Sequence, residues 1–252
     1  MLVLTNRQIL TIFEPEKPIN KAPLYFPKRA GVEKIKAVYI DSVENRETLH
    51  PIDKIIFFAC LAGIQSGGGF ATVSTLYRQI TGKEKGVINI SNETRAAIVE
   101  SLQRLSGVIL QPYKIPKGKK SDPEKAKAHP LLVLDETEKG FFIKSDYING
   151  LIKKLNTART IPPEMITPYK NKSIKMLMIE YDLIARAFYL HKRKYRTKTI
   201  KQDITLYCKR YGITDKHKSR LKPFLQSVLS HLQQIDFIKS FTFSGDEIII
   251  NK

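Results

Sequence analysis

The chain has 252 residues, and its 42% hydrophobic content is enough to bury the core of one large or two small domains, which excludes a disordered protein. A formal net charge of +19 at pH 7 favours a polyanionic partner, above all nucleic acid. Two distant cysteines give no disulfide framework or metal motif, and no apolar run reaches the roughly 18 residues of a membrane span, so we expect a cytoplasmic protein without membrane contact.

The first 48 residues predict short strands rather than helices. Leu2 to Leu4 is an apolar start, and a proline-containing segment over 14–23 predicts strand or loop. Two aromatic and β-branched runs, 24–26 and 35–40, lie on either side of a turn-like segment at 28–31. This pattern predicts two short paired strands.

Three helices are predicted after Pro51. Apolar residues recur at intervals of three and four over 52–60, which indicates an amphipathic helix that ends near the glycines at 67–69. A second helix is predicted over 72–80, before Gly82. Ser91 is a favourable N-cap for a third helix, which extends to Gly107.

Strand-like segments follow at 108–110, 131–134 and 141–143, the last two joined by a turn at 138–140. Three helices followed by a hairpin is the order of a winged helix. The lysine-rich segment 114–127 predicts a mobile loop, and either DNA contact or a solvated loop without a specific role fits its composition. A closing helix is predicted over 146–155.

The second half repeats this order. Apolar spacing predicts a long helix from Ile174 to Phe188 and a shorter helix containing Ile200, Ile204 and Leu206. A third helix is predicted from about Lys216 to 234. Its start lies nearer Lys222 if the proline at 223 belongs to the first turn of the helix. A hairpin closes the chain over 237–250.

These elements predict an α+β, mainly helical chain with two tandem winged-helix domains. The expected bounds are 1–160 for the first domain, with its N-terminal strand extension, 161–172 for a proline-rich linker, and 173–252 for the second domain. The expected roles are dimerisation or auxiliary DNA contact for the first and principal DNA binding for the second.

Positive charge concentrates in the second half, where residues 151–252 carry 21 basic and 8 acidic residues. A recognition helix inserts its N-terminal residues into the major groove, so the helix that begins near Lys216 is the predicted base reader. Its Arg220 can pair with a guanine edge, while its lysines suit phosphates. The predicted DNA-binding residues of this half are Lys198, Lys201, Lys209, Arg210, Lys216, Lys218, Ser219, Arg220 and Lys222.

The corresponding helix of the first half has a nearly balanced charge. It offers Arg95 and Arg104 to DNA but also carries Glu93 and Glu100. This composition predicts a protein partner or weaker DNA contact.

The two predicted tandem winged helices resemble the plasmid replication initiators that bind repeated origin sequences. The resemblance covers residues 49–252 by order of elements and about 206–243 by residue pattern, and rests on Tyr211-Gly212-Ile213 followed by the basic and apolar segment 218–235. It implies binding to double-stranded origin repeats, a homodimer through the first domain, and recruitment of host replication proteins. Transcription regulators share the same order of elements, so a winged-helix regulator is the alternative.

The sequence predicts no enzyme, metal or cofactor. The five histidines never stand in the His-x-His spacing of a nicking nuclease, and a core or rim position is the simpler interpretation of Tyr147 and Tyr195. The glycines at 67–69 lack the phosphate-loop sequence. An origin-nicking enzyme is therefore the less favoured alternative.

Overall fold

The computed structural model describes residues 2–4, 13, 23–24, 34–39, 49–82, 88–114, 124–155, 159–167, 173–192 and 199–252. Over these residues the protein has an α+β fold with seven α-helices and small antiparallel sheets. The helices are α1 (Pro51–Gln65), α2 (Val73–Thr81), α3 (Asn92–Ser106), α4 (Asp146–Leu155), α5 (Ile174–Lys192), α6 (Ile204–Tyr211) and α7 (Asp215–Gln234).

The strands are short and fall into four antiparallel groups within the described part of the chain. They are β1 (Leu2–Leu4), β2 (Pro23–Leu24), β3 (Lys34–Tyr39), β4 (Phe70–Ala71), β5 (Val108–Lys114), β6 (Glu124–Lys125), β7 (His129–Pro130), β8 (Val133–Thr137), β9 (Gly140–Lys144), β10 (Arg159–Ile161), β11 (Thr199–Asp203), β12 (Ser240–Ser244) and β13 (Glu247–Asn251).

The chain divides into two compact units, Met1–Ile161 and Pro162–Lys252. Helix α1 is the centre of the first unit, and residues 55–61 are each at most 3% exposed. The sequence predicted an amphipathic helix here, but α1 is buried on every side over this stretch because α2, α3 and strands β1, β4 and β9 all pack against it. The two phenylalanines at 57 and 58, outside the predicted apolar stripe, are therefore core residues.

The sheets of the first unit include two larger groups. Strands β2, β3, β5 and β6 lie in that order, and β7 also pairs with β5. Strands β4, β9 and β8 form a second sheet with β9 in the middle, while β1 pairs with β10. The predicted pairing of the two N-terminal runs is confirmed for β2 and β3, and the turn at 28–31 between them lies outside the described residues, as does segment 115–123 of the lysine-rich loop.

Local capping signals explain the helix ends of the first unit. Ser91 is the N-cap of α3, as predicted, and its hydroxyl accepts a hydrogen bond from the Thr94 backbone N–H at 3.2 Å. The predicted closing helix is α4, and its bounds, Asp146–Leu155, match the prediction. The predicted hairpin is formed by β8 and β9.

Over its described residues the second unit contains three α-helices and one three-stranded sheet, in which β13 lies between β11 and β12. Helices α6 and α7 are separated by three residues that begin with Gly212, which caps α6 in the left-handed conformation at φ +58°. Ile200, predicted to begin α6, instead lies in strand β11, so that prediction is wrong.

Part of the predicted linker belongs to the second unit and packs on its helices. Pro163–Met165 forms a short 3₁₀ helix, and the backbone N–H of Thr167 donates to the buried carboxylate of Glu180 on α5 at 2.7 Å. The His231 ring, near the end of α7, lies 2.6 Å from the Glu164 carbonyl oxygen. Residues 163–167 are thus held by contacts to two helices.

The two units share one order of elements. In each, a helix, a strand, two helices and a hairpin follow one another, and the strand after the first helix pairs with the last strand of the hairpin. The first unit has further elements: β1 to β3 precede this pattern, β5 to β7 lie between α3 and the hairpin, and α4 and β10 follow it. The strands β4 and β11 that complete this pattern were missed by sequence periodicity, as were β6, β7 and β10.

Candidate nucleic-acid interface

Helix α7 has a buried face and an exposed face. The buried face anchors the helix in the second unit through six side chains that are each at most 2% exposed: Leu221, Phe224, Leu225, Val228, Leu229 and Leu232. On the remaining surface Ser219, Arg220, Lys222, Pro223 and Gln226 are exposed. Because the opposite face is firmly packed, these exposed residues are presented on a rigid element.

The N-terminal half of α7 carries the predicted base readers. The helix begins at Asp215 after Thr214, so Lys216 and Lys218 lie in its first turns, and their side chains are outside the described part of the chain. The alternative start near Lys222 is wrong, since Pro223 lies well inside the helix. Backbone N–H groups and the helix dipole make this end favourable for phosphate.

Lys222 connects α7 to the hairpin. Its ammonium group donates a hydrogen bond to the Gly245 carbonyl oxygen at 3.3 Å and lies 5.5 Å from the centre of the Phe243 ring. The Asp246 carbonyl at the same turn accepts a hydrogen bond from the Ile204 N–H at 2.8 Å. The hairpin tip is therefore held beside α6 and α7, and Lys222 positions this tip.

Two other predicted residues already form ion pairs. Lys201 on β11 forms a surface ion pair with Glu247 at 3.2 Å, and Arg210 forms one with Asp182 on α5 at 3.3 Å. The Lys201–Glu247 pair is exposed, and exposed ion pairs are weak, about 0.2–1 kcal/mol, so phosphate can displace it. Arg210 is half-buried, and its partner Asp182 is buried. Lys209 is exposed on α6, and Lys198 lies outside the described residues.

The two predicted arginines of the first unit have different environments. Arg95 is exposed in the first turns of α3, which is compatible with a contact to a partner. Arg104 is only 8% exposed, and its Nη2 lies 2.8 Å from the buried Asp53 carboxylate. Arg104 is thus a structural residue, and its assignment as a DNA contact is wrong.

Two polar residues of the candidate interface were missed by sequence reasoning. Gln226 is exposed one turn after Lys222, and a glutamine amide can pair with an adenine edge in the major groove. Lys175 on α5 donates to the Gly212 carbonyl oxygen at 2.8 Å, which brings a cation to the turn before α7. Gln226 lies at i+7 from Ser219, so helical spacing alone would have identified it.

The tyrosine considered as a nucleophile has an unsuitable environment. Tyr147 is half-buried and stacked on His129, with ring centres 4.2 Å apart, and burial raises the pKa of Tyr147 to about 12. A raised pKa disfavours the phenolate. Tyr195 lies outside the described residues, and within the described ranges no group of three or more His, Cys, Asp or Glu side chains is arranged to hold a metal ion.

None of the helices that the structure describes is both long and apolar enough to cross a membrane.

No protein-family model and no curated protein sequence matches the chain. Among solved structures, a crystal structure of domains 2 and 3 of RctB is similar at 13% identity and a TM-score of 0.45, covering 94% of this chain and 92% of that chain. A selenomethionine form of the same domains gives 12% identity and a TM-score of 0.42 over the same shares.

Proposed function

We propose that the protein binds double-stranded DNA in a sequence-specific manner and that α7 of the second unit reads bases in the major groove. The observation that carries this proposal is the exposed face of α7, where Ser219, Arg220, Lys222 and Gln226 stand opposite a fully packed apolar face. Arginine suits guanine and glutamine suits adenine, whereas lysine suits phosphate. A basic chain of net charge +19 supplies the non-specific attraction.

The order of elements supports a winged-helix interpretation of both units. Helix α7 follows α6 after a three-residue turn, and the β12–β13 hairpin lies in the position of a wing, with its tip held by Lys222. In this interpretation α3 is the corresponding helix of the first unit. Its exposed Glu93, Arg95 and Glu100 give a balanced face, so the first unit contributes auxiliary contacts.

The biological role that we propose is initiation of plasmid replication at repeated origin sites, in the cytoplasm and without chemistry by the protein itself. This role rests on the sequence resemblance of segment 206–243 to plasmid initiators. It includes host replication proteins as partners and a homodimer through the first unit. A winged-helix transcription regulator is the second candidate, because the same interface serves both functions.

The DNA-binding proposal is tested by selecting bound sequences from a pool of random 30-base-pair duplexes and titrating the selected duplex at several salt concentrations. If six to ten phosphates are contacted, affinity falls by about three to five decades between 50 and 200 mM salt. A flat salt dependence contradicts the proposal.

Base reading is separated from phosphate binding by two variants in the second unit. Arg220→Ala is expected to reduce discrimination at one base pair by about 1–3 kcal/mol. Lys209→Ala, at an exposed position on α6, is expected to weaken selected and unselected duplexes equally. Equal losses from both variants would show that the face is electrostatic only.

Initiation is separated from regulation by transformation. A plasmid that carries this gene and its flanking repeats as the only replication functions should replicate, and the Arg220→Ala variant should abolish replication. Failure of the wild-type plasmid, together with intact repression of a reporter behind the gene's promoter, supports the regulator. Metal-dependent nicking of supercoiled DNA with these repeats would contradict a non-enzymatic role.

A further inference from the structure

Helix α7 contains a proline in its interior. Pro223 has about two turns of α7 (Asp215–Gln234) before it and about three after it. An interior proline destabilises a helix, because it has no N–H to donate and its ring crowds the carbonyl four residues earlier. The ring of Pro223 is exposed, so packing against the core does not explain this residue. A residue that breaks a local rule without a gain in packing indicates a functional constraint.

The group that Pro223 leaves without its helical donor is the backbone carbonyl of Ser219. In a regular α-helix the N–H of residue 223 would donate to this oxygen. Proline has no N–H, and the crowding by its ring tilts the Ser219 carbonyl away from the helix axis. A backbone carbonyl is a strong acceptor, so the Ser219 oxygen can accept a hydrogen bond from a group outside the helix.

The Ser219 oxygen lies in the middle of the exposed face of α7. A helical carbonyl points towards the residue four places later, so this oxygen lies between Ser219 and Pro223. Ser219, Pro223 and Gln226 follow one another at i, i+4 and i+7 along the helix, and all three are exposed. Phe224 and Leu225 are fully buried on the other side. The oxygen is therefore on the side of α7 that carries the proposed base readers.

The oxygen adds a kind of contact that the described side chains from Ser219 to Gln226 do not provide. Arg220 and Lys222 are donors only, whereas the Ser219 hydroxyl and the Gln226 amide can each donate or accept. A carboxylate on this face would be an acceptor, but its charge would repel phosphates. The backbone carbonyl is an acceptor without a net charge, so it suits a surface that approaches DNA.

The major groove offers two kinds of donor to such an oxygen. They are the N6 amino group of adenine and the N4 amino group of cytosine, whereas guanine and thymine present acceptors at their major-groove edges. A carbonyl held against one base therefore favours adenine or cytosine and disfavours guanine or thymine. The donors of Arg220 and Lys222 have the opposite preference, because they pair with the acceptors of guanine.

We propose that the Ser219 backbone carbonyl accepts a hydrogen bond from the amino group of one adenine or cytosine in the major groove. Pro223 is then a positioning residue that determines specificity, because its missing N–H keeps the carbonyl available. This contact rests on the proposed function, since it requires α7 to lie in the major groove.

Pro223→Ala tests the contact, because the alanine N–H bonds to the Ser219 carbonyl and occupies it. Selection from random duplexes with wild type is expected to return one position that is restricted to adenine or cytosine. In Pro223→Ala the discrimination at this position is expected to fall about tenfold, which is the effect of one hydrogen bond. The other positions and the salt dependence should stay as in wild type.

Ser219→Ala is the matched control on the same turn of α7. It removes the hydroxyl group but leaves the backbone carbonyl, so its discrimination at this position should equal that of wild type. Loss of discrimination in Ser219→Ala would assign the contact to the hydroxyl group and would overturn the role of the carbonyl.

A base analogue tests the hydrogen bond itself. In the selected duplex, purine replaces adenine, or pyrimidin-2-one replaces cytosine, so that the amino group is removed. The affinity of wild type is expected to fall about tenfold more than the affinity of Pro223→Ala, whose carbonyl is already occupied. The variant corrects for the weaker base pair that the analogue forms, because both proteins bind the same two duplexes.

Two further results would overturn the contact while the proposed function stands. Pro223→Ala could retain wild-type discrimination at the restricted position, or the analogue could weaken both proteins equally. Loss of discrimination at every position in Pro223→Ala would assign the proline to the shape of α7 instead of to the carbonyl. If wild type selects no sequence at all, the proposed function fails and the contact fails with it.

Discussion

Arg104 and Asp53 lie 51 residues apart in the chain and form a two-pronged buried ion pair in the first unit. Arg104 Nη2 lies 2.8 Å from Asp53 Oδ1, and Nε lies 3.1 Å from Oδ2. Asp53 Oδ2 also accepts the backbone N–H of His50 at 2.6 Å. The pair therefore joins the last turn of α3 to the first turn of α1. Asp53 also provides a hydrogen-bond acceptor for the backbone N–H of His50 at the start of α1.

Arg104→Met is expected to lower the stability of the first unit by about 3–5 kcal/mol, because it leaves the fully buried Asp53 carboxylate without its cation. Hydrogen exchange of the α1 amides, measured by mass spectrometry on the full chain, reports this loss. Arg95→Met, at an exposed position on the same helix, is the control and should change stability by no more than about 0.5 kcal/mol. Equal exchange in the two variants would contradict the structural role.

The misassignment of Arg104 shows what sequence periodicity can and cannot identify. Arg104 lies at i+3 from the buried Ser101, so helical spacing placed it near the inner face of α3, but its charge led to an exposed assignment. Its partner Asp53 belongs to another helix. No local pattern relates two residues at that separation, so the ion pair could not be predicted from sequence.

Long periodic helices were predicted well, and short strands were not. The existence of α1 to α7 follows from apolar spacing, caps and glycines such as Gly212. Strand β4 has two residues, too few to show an alternation, and β11 pairs with the distant β13. The exposed pair of Phe70 and Phe142 was not identified for the same reason, since these two residues become neighbours only through strand pairing.

Pro223→Ala is expected to stabilise the second unit by about 1–3 kcal/mol. An interior proline removes the N–H that would bond to the Ser219 carbonyl, at a cost of about 3 kcal/mol, and the exposed ring of Pro223 loses no packing when it is removed. Greater freedom of the unfolded chain offsets about 0.4–1 kcal/mol of the gain. Differential scanning calorimetry of the full chain checks the direction, with Gln226→Ala as the control on the same face. A lower unfolding temperature for Pro223→Ala would show that the proline shape is required by the packing of α7.

Gly69→Ala is expected to destabilise the first unit more than Gly67→Ala does. Both glycines have positive φ, so both substitutions strain the backbone by about 1–2 kcal/mol. A Cβ at Gly69 would also lie 2.9 Å from the Ile143 carbonyl oxygen, whereas a Cβ at Gly67 meets nothing within 4 Å. The Ile143 N–H donates to the Gly69 carbonyl at 2.7 Å, so the clash disturbs the contact that holds this loop on β9. Thermal unfolding of the two variants provides the comparison, and equal losses would mean that β9 moves to accommodate the methyl group.

The stability of the first unit is expected to fall as the pH drops below about 6.5 because of His129. Partial burial, followed by the positive charge of Lys127, lowers the pKa of His129 from its ordinary value of 6.5. The unfolded chain therefore binds the proton first, so the contribution of the neutral ring is complete above pH 6.5 and declines as the pH falls through the lowered value. His129→Phe keeps a ring to stack on Tyr147 but cannot titrate, so the stability difference between wild type and variant should change between pH 8 and pH 5. Unfolding temperatures measured in parallel at these two pH values test this expectation, and a constant difference would show that His129 does not contribute to the pH dependence.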